Sequence, residues 1–102
     1  MAFRDYPQTA VNNAKRALRH RDENGTSCGT AVGWRRANQL ASREALTLDT
    51  VRRTFSFLSR HKGNNTGRFT DDDGEVCGSI MYAAWGGTAM LRWARKTINE
   101  ET

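Results

Sequence analysis

Leu48, Val51, Phe55 and Leu58 recur at i, i+3, i+7 and i+10, a spacing that predicts an amphipathic helix of roughly 14 residues. The same period governs the rest of the chain. Ala10, Ala14, Ala17 and Leu18 share one face of a first helix, and Trp34, Ala37, Leu40 and Ala41 one face of a second. Val76, Ile80, Ala83 and Ala84 mark a short fourth, and Met90, Trp93, Ala94 and Ile98 a last. No segment alternates with period two for long enough to predict a strand. The punctuation agrees. Pro7, the only proline, suits a first helical turn, and "DENGTSCG" supplies turn formers after it. Thr30 and Thr47 can cap the second and third helices, with Asp49 in the third helix's first turn, where its dipole favours a carboxylate. Gly86-Gly87 breaks the fourth helix, and Thr88 or a neighbouring glycine can cap the last. Residues 62–75, rich in Gly, Asn, Thr and acids, read as an exposed loop. The expectation is an all-α chain: a compact bundle of about five short helices containing a helix-turn-helix-like pair. It forms a single helical domain over 1–102, with its core at about 8–98. A length of 102 residues suits one domain.

Charge narrows the function classes. The net charge is +5, and it is unevenly spread: residues 1–68 carry 13 basic and 5 acidic side chains, residues 69–102 carry 3 and 6. Thirteen of the 16 basic residues are Arg, whose planar fork suits phosphates and base edges. An anionic partner follows, unless the arginine bias only tracks genomic composition. No stretch approaches the roughly 18 apolar residues of a membrane span, and "MAFRDYPQTA" carries charge where a signal peptide needs an apolar core. The expectation is a soluble, non-secreted protein with no membrane partner. Cys28 and Cys77 read as two small buried thiols in a reducing cytosol, each near a helix entrance; a bridge between them is the other reading.

"LASREALTLDTVRRTF" (40–55) has the spacing of a helix-turn-helix. Such a unit needs a small residue in its first helix, a turn, and a buried β-branched residue in its second. Ala41, Ala45 and Val51 stand at these positions, flanked by Leu40 and Leu46. Ala45 replaces the usual turn glycine, and Thr54 stands where an apolar residue is expected. With Thr47 as cap, Arg52 and Arg53 face outward early in the second helix, where they can meet phosphates or guanine edges. Arg35, Arg36 and Arg60 would add backbone contacts. These five arginines are the candidate nucleic-acid-binding residues.

Other motifs carry less. "DDDGE" fails as a calcium loop, because aligning Gly74 to the invariant glycine puts Phe69 and Ile80 at ligand positions. His20 and His61 have no metal-ligand spacing, and His61 suits a helix C-terminus. No Gly-x-Ser-x-Gly, phosphate loop or Cys–His pair is present, so neither an enzyme, a metal nor a cofactor is expected. "GTAVGWRR" could hold an anion on backbone N–H groups or simply pack closely around Gly33. "YAAWGGTAMLRW" reads as a tight helix corner. Gly33, Val51, Trp85, Gly86, Gly87 and Trp93 are the expected structural residues.

The order "GTAVGWRRANQLAS", "LTLDTVRRTFSFLSRH", polar loop, "GSIMYAAWGG", "RWARK" resembles a small helical domain of tailed phages and prophages. That domain occurs free-standing or appended to head-maturation proteases and other head genes. The resemblance runs from about Ala14 to Lys96. Its markers are Gly29-Thr30, Gly33, Arg36-Ala37, Thr50 to Arg53, Phe57, Arg60-His61, Gly78, Ile80, Trp85 to Gly87 and Trp93-Ala94. Cys28, Ser79 and Thr88 depart from its pattern, as does the short loop; Ser79 stands where a basic residue is common. The resemblance implies a viral setting, in host cytoplasm or virion, and no established catalysis. The leading expectation is a non-enzymatic, phage-derived accessory protein contacting nucleic acid, double-stranded DNA first, through an arginine-rich helical face. The alternatives are a virion or head assembly protein acting through protein contacts, or an inhibitor of a host defence or host enzyme.

Overall fold

Residues 2–101 are described by a computed structural model, and among them five α-helices dominate, as the apolar period predicts. α1 (Gln8–Asn24) starts one residue later than a proline in its first turn would have it. Pro7 is its cap, and the Pro7 carbonyl accepts the N–H groups of Ala10 at 3.0 Å and Val11 at 3.4 Å. α2 (Ala31–Ala41) and α3 (Leu48–His61) begin at the threonines expected. Thr30 Oγ1 accepts the Gly33 N–H and Thr47 Oγ1 the Thr50 N–H, each at 3.1 Å, satisfying donors that a helix leaves open. α4 (Cys77–Ala84) meets α5 (Gly87–Glu101) at a corner that only glycine can form. Gly86 and Gly87 have φ of 106° and 71°, and a Cβ would fall 2.5 Å from Met90 Cβ or from Asn13 Nδ2 respectively. The Thr88 hydroxyl lies 2.8 Å from Tyr82 Oη.

Strands are minimal. β1 (Ala2–Phe3) pairs antiparallel with β2 (Leu46–Thr47), and β3 (Thr70–Asp71) with β4 (Gly74–Glu75). Two-residue strands carry no readable period, so the sequence is silent on them.

α1 lies against α2, α4 and α5, while α3 packs on α5. The buried apolar residues form one cluster, with Leu40, Leu46, Leu58, Ile80 and Met90 at its centre. A radius of gyration of 13.0 Å matches the value of about 13 Å for a compact chain of this length. The core reaches further toward the N-terminus than residue 8. Tyr6 is fully buried, meets Trp93 edge-on at 5.5 Å, and donates its hydroxyl to the Glu44 carbonyl at 2.7 Å. Burial pushes the Tyr6 phenol above its ordinary pKa.

Cys28 and Cys77 are joined in a disulfide, so the reading of two separate buried thiols is corrected. The reason is tertiary. The start of α4 comes up against the α1–α2 loop, bringing the two Cα atoms to 5.3 Å, although 49 positions separate them in sequence. Cys28 is buried and Cys77 exposed.

Glu75 fastens the same loop beside the bridge. Its carboxylate meets His20 Nε2 at 3.0 Å and accepts the Ser27 N–H at 3.4 Å. Hydrogen bonds from Thr26 and then His20 hold the Glu75 carboxyl below its usual pKa. A depressed carboxylate adds stability that is complete above its unfolded pKa and is lost as pH falls through the lower folded value. The expected result is that Glu75→Gln reduces stability near neutrality and flattens the acid limb of a stability–pH profile measured by urea unfolding. An unchanged acid limb in the variant would remove Glu75 from acid unfolding.

The polar segment 62–75 is exposed except for the half-buried Phe69 ring. Arg16 lies over that ring at 4.5 Å and His20 meets its edge at 5.4 Å. Buried Ser79 accepts the Thr66 N–H at 2.9 Å, so the residue that replaces a basic one at 79 anchors the segment from inside.

Candidate nucleic-acid interface

α2, a tight connection and α3 follow one another as a helix-turn-helix would, and Leu40, Leu46 and Val51 are fully buried. Two details differ from the expected motif. The residue in the left-handed region is Arg43, with φ of 51°, rather than one at the Ala45 position. Its guanidinium makes that conformation tolerable: it donates to the carbonyls of Arg4 and Tyr6 and to Gln8 Oε1, and it covers the Tyr6 ring at 5.2 Å. The second difference is packing. α2 lies on α1 and α4 whereas α3 lies on α5, so α3 does not cross α2 at the close range that Ala41 would allow.

Three parts of the fold meet instead through a stack of four planar groups. Arg36 lies 5.3 Å over the ring of Trp85, Trp85 stacks on Phe57 at 4.3 Å and 12°, and Phe57 meets His61 at 4.4 Å. This column ties α2 to the α4–α5 corner and to the C-terminal half of α3. Gly33 makes room for it, since a Cβ there would lie 3.0 Å from Met81 Sδ and 3.2 Å from Trp85 Nε1. Gly33, Val51, Trp85, Gly86 and Gly87 are buried and Trp93 is half-buried against the core.

The five candidate arginines therefore divide. Arg36 is buried at 7% exposure, donates to Gln39 Oε1, and leaves its Nε without a partner. It is a packing residue and not a surface contact, because its side chain is spent on Trp85. Burial and then the neighbouring charges of Arg35 and Arg53 lower its pKa. Arg35, Arg52, Arg53 and Arg60 are exposed. Arg53 is paired with Asp49 at 2.9 Å, and Arg60 Nε donates to the Ser56 carbonyl at 3.2 Å. An exposed i,i+4 pair of this kind contributes only about 0.5 kcal/mol, so Arg53 can exchange Asp49 for a phosphate. Among the described residues, Arg35 and Arg52 take part in no ion pair. Replacing Arg36 by Met is expected to keep stability within about 1 kcal/mol, since a lone desolvated cation is exchanged for an apolar chain of similar length. Urea unfolding checks this, and binding to DNA should be unaffected.

The arginine bias has a structural component that the sequence did not show. Arg16, Arg21, Arg36, Arg43 and Arg95 each cover an aromatic ring. The α2 entrance is likewise closed to an anion at Gly33, whose N–H is taken by Thr30, and Gly29 packs against Met81. Among the described residues, no three His, Cys, Asp or Glu side chains gather as a metal site, and no helix is long and apolar enough to cross a membrane. Compared with known proteins, the chain matches no described family, no curated protein and no solved structure.

Proposed function

We propose that this is a non-enzymatic, phage-derived accessory protein that contacts nucleic acid through the exposed arginines of α2 and α3. The observation that carries the reading is the gathering of like charge. Arg35 and Arg53, from different helices, both bear electrostatically on Arg36, and Asp49 is the one carboxylate paired within this group. Arg52 and Arg60 extend the basic surface along α3. Because α3 is not braced across α2, contacts to the phosphate backbone fit the packing better than a rigid helix set into a groove. Neutralising four phosphates would give a slope of log K against log salt of roughly −3 to −4.

Fluorescence anisotropy with a labelled duplex at low and moderate salt tests the reading. Wild type is expected to bind with that salt dependence, and Arg52→Ala/Arg53→Ala to lose most of the affinity. Duplex binding that is absent, or indifferent to both arginines, would end it. A second reading, a virion or head assembly protein, is favoured by one observation: the Cys28–Cys77 bridge suits a released particle better than a reducing cytoplasm.

A further inference from the structure

We propose that a second basic cleft, away from the α2–α3 face, binds a phosphate group. It lies between α1, the segment after α3 and the first turns of α5, and consists of two adjoining hollows of about 520 Å³ each. The two share Tyr82, Thr88 and Arg92 in their walls. Arg16 lines the first and Lys62 and Arg95 the second, so four cations from three parts of the chain line this cleft with no Asp or Glu among its lining residues.

That arrangement has no structural explanation in pairing. None of the four cations is in an ion pair among the described residues. Like charges brought together cost stability unless an anion offsets them. Two of the guanidiniums are already held in place, Arg16 over Phe69 at 4.5 Å and Arg95 over Phe55 at 5.9 Å, which reduces the side-chain ordering that binding would demand. The floor is equally fixed. Asn13 Nδ2 donates to the Gly86 carbonyl at 3.0 Å, and the Tyr82 and Thr88 hydroxyls share a 2.8 Å hydrogen bond. Arginine forks with a neighbouring hydroxyl match the several acceptor oxygens of a phosphate better than a single carboxylate. The cleft shares no lining residue with the candidate arginines of α2 and α3, so this inference does not rest on the reading of that face.

The phosphate can be free or carried on a polynucleotide strand, and two probes separate these sources. The ¹⁵N-labelled protein is titrated at low salt with inorganic pyrophosphate and, separately, with an oligothymidine single strand. The expected result is saturable movement of the Gly87, Thr88 and Ala89 amides with at least one probe. Arg16→Gln/Arg92→Gln should weaken it about tenfold or more, and Arg52→Ala/Arg53→Ala should leave it in place. Movement with pyrophosphate assigns a site for the phosphate itself; movement with the strand alone assigns a backbone site. A well-dispersed amide spectrum establishes that the variant is folded. Should Arg16→Gln/Arg92→Gln fail that criterion, Lys62→Gln/Arg95→Gln replaces it with the same expectation. No saturable movement with either probe, or equal affinity in a folded variant, overturns the site. Duplex binding through Arg52 and Arg53 would stand or fall separately.

Discussion

Reduction of the Cys28–Cys77 bridge is expected to lower stability by about 4 kcal/mol, because the crosslink closes a long stretch of chain and so removes much of the freedom of the unfolded state. For a chain of this size that is a large share of a total of about 5–15 kcal/mol. Cys77 is exposed, so a small reductant can reach the bridge without prior unfolding. The measurement is urea unfolding with and without a phosphine reductant, alongside Cys28→Ser/Cys77→Ser. Both should shift the midpoint downward by the same amount. What remains at the junction in the reduced state is Glu75 with its bonds to His20 and Ser27. Identical midpoints in the oxidised and reduced protein would mean that packing alone holds the α1–α2 loop to α4.

Replacing Trp85 by Ala is expected to cost about 3–5 kcal/mol. Trp85 is nearly buried and sits between Phe57 and Arg36, so truncation opens a cavity and uncovers a cation at the same time. The second effect is separable. In Trp85→Ala/Arg36→Met the cation is gone, and the loss should be smaller than in Trp85→Ala alone, with the difference appearing as coupling in a double-mutant cycle. Additive losses would show that the Arg36–Trp85 stack contributes nothing beyond filled space.

The stacked column also bears on the resemblance expected from the sequence, which no matching family or structure supports. Arg36, Phe57, His61 and Trp85 are among the residues that carry it, and they are scattered over 50 positions of chain yet meet in one column. Gly33, Gly86 and Gly87, also among them, stand where a Cβ would press on Met81, Met90 or Asn13. Most of the pattern is therefore a requirement of packing. Arg52, Arg53 and Arg60 are the arginine markers whose exposed side chains the core does not use.

The sequence by itself determined the helices, their caps at Thr30 and Thr47, and the glycine corner at Gly86-Gly87. These depend on interactions within a few residues, and local order displays them. It also pointed to exposed arginines at 35, 52, 53 and 60, since cap position and helical period decide which way a side chain faces. Only the tertiary structure decided the rest. Arg36 lies one position from Arg35, and nothing local shows that Trp85 arrives to cover it. The bridge depends on α4 meeting the α1–α2 loop, and Arg43 holds its turn because residues 4–8 come back to it. The cleft of Arg16, Lys62, Arg92 and Arg95 joins both charge-distinct halves of the chain. Pairings across tens of residues are set by how helix faces pack, and a one-dimensional period carries no record of which faces meet.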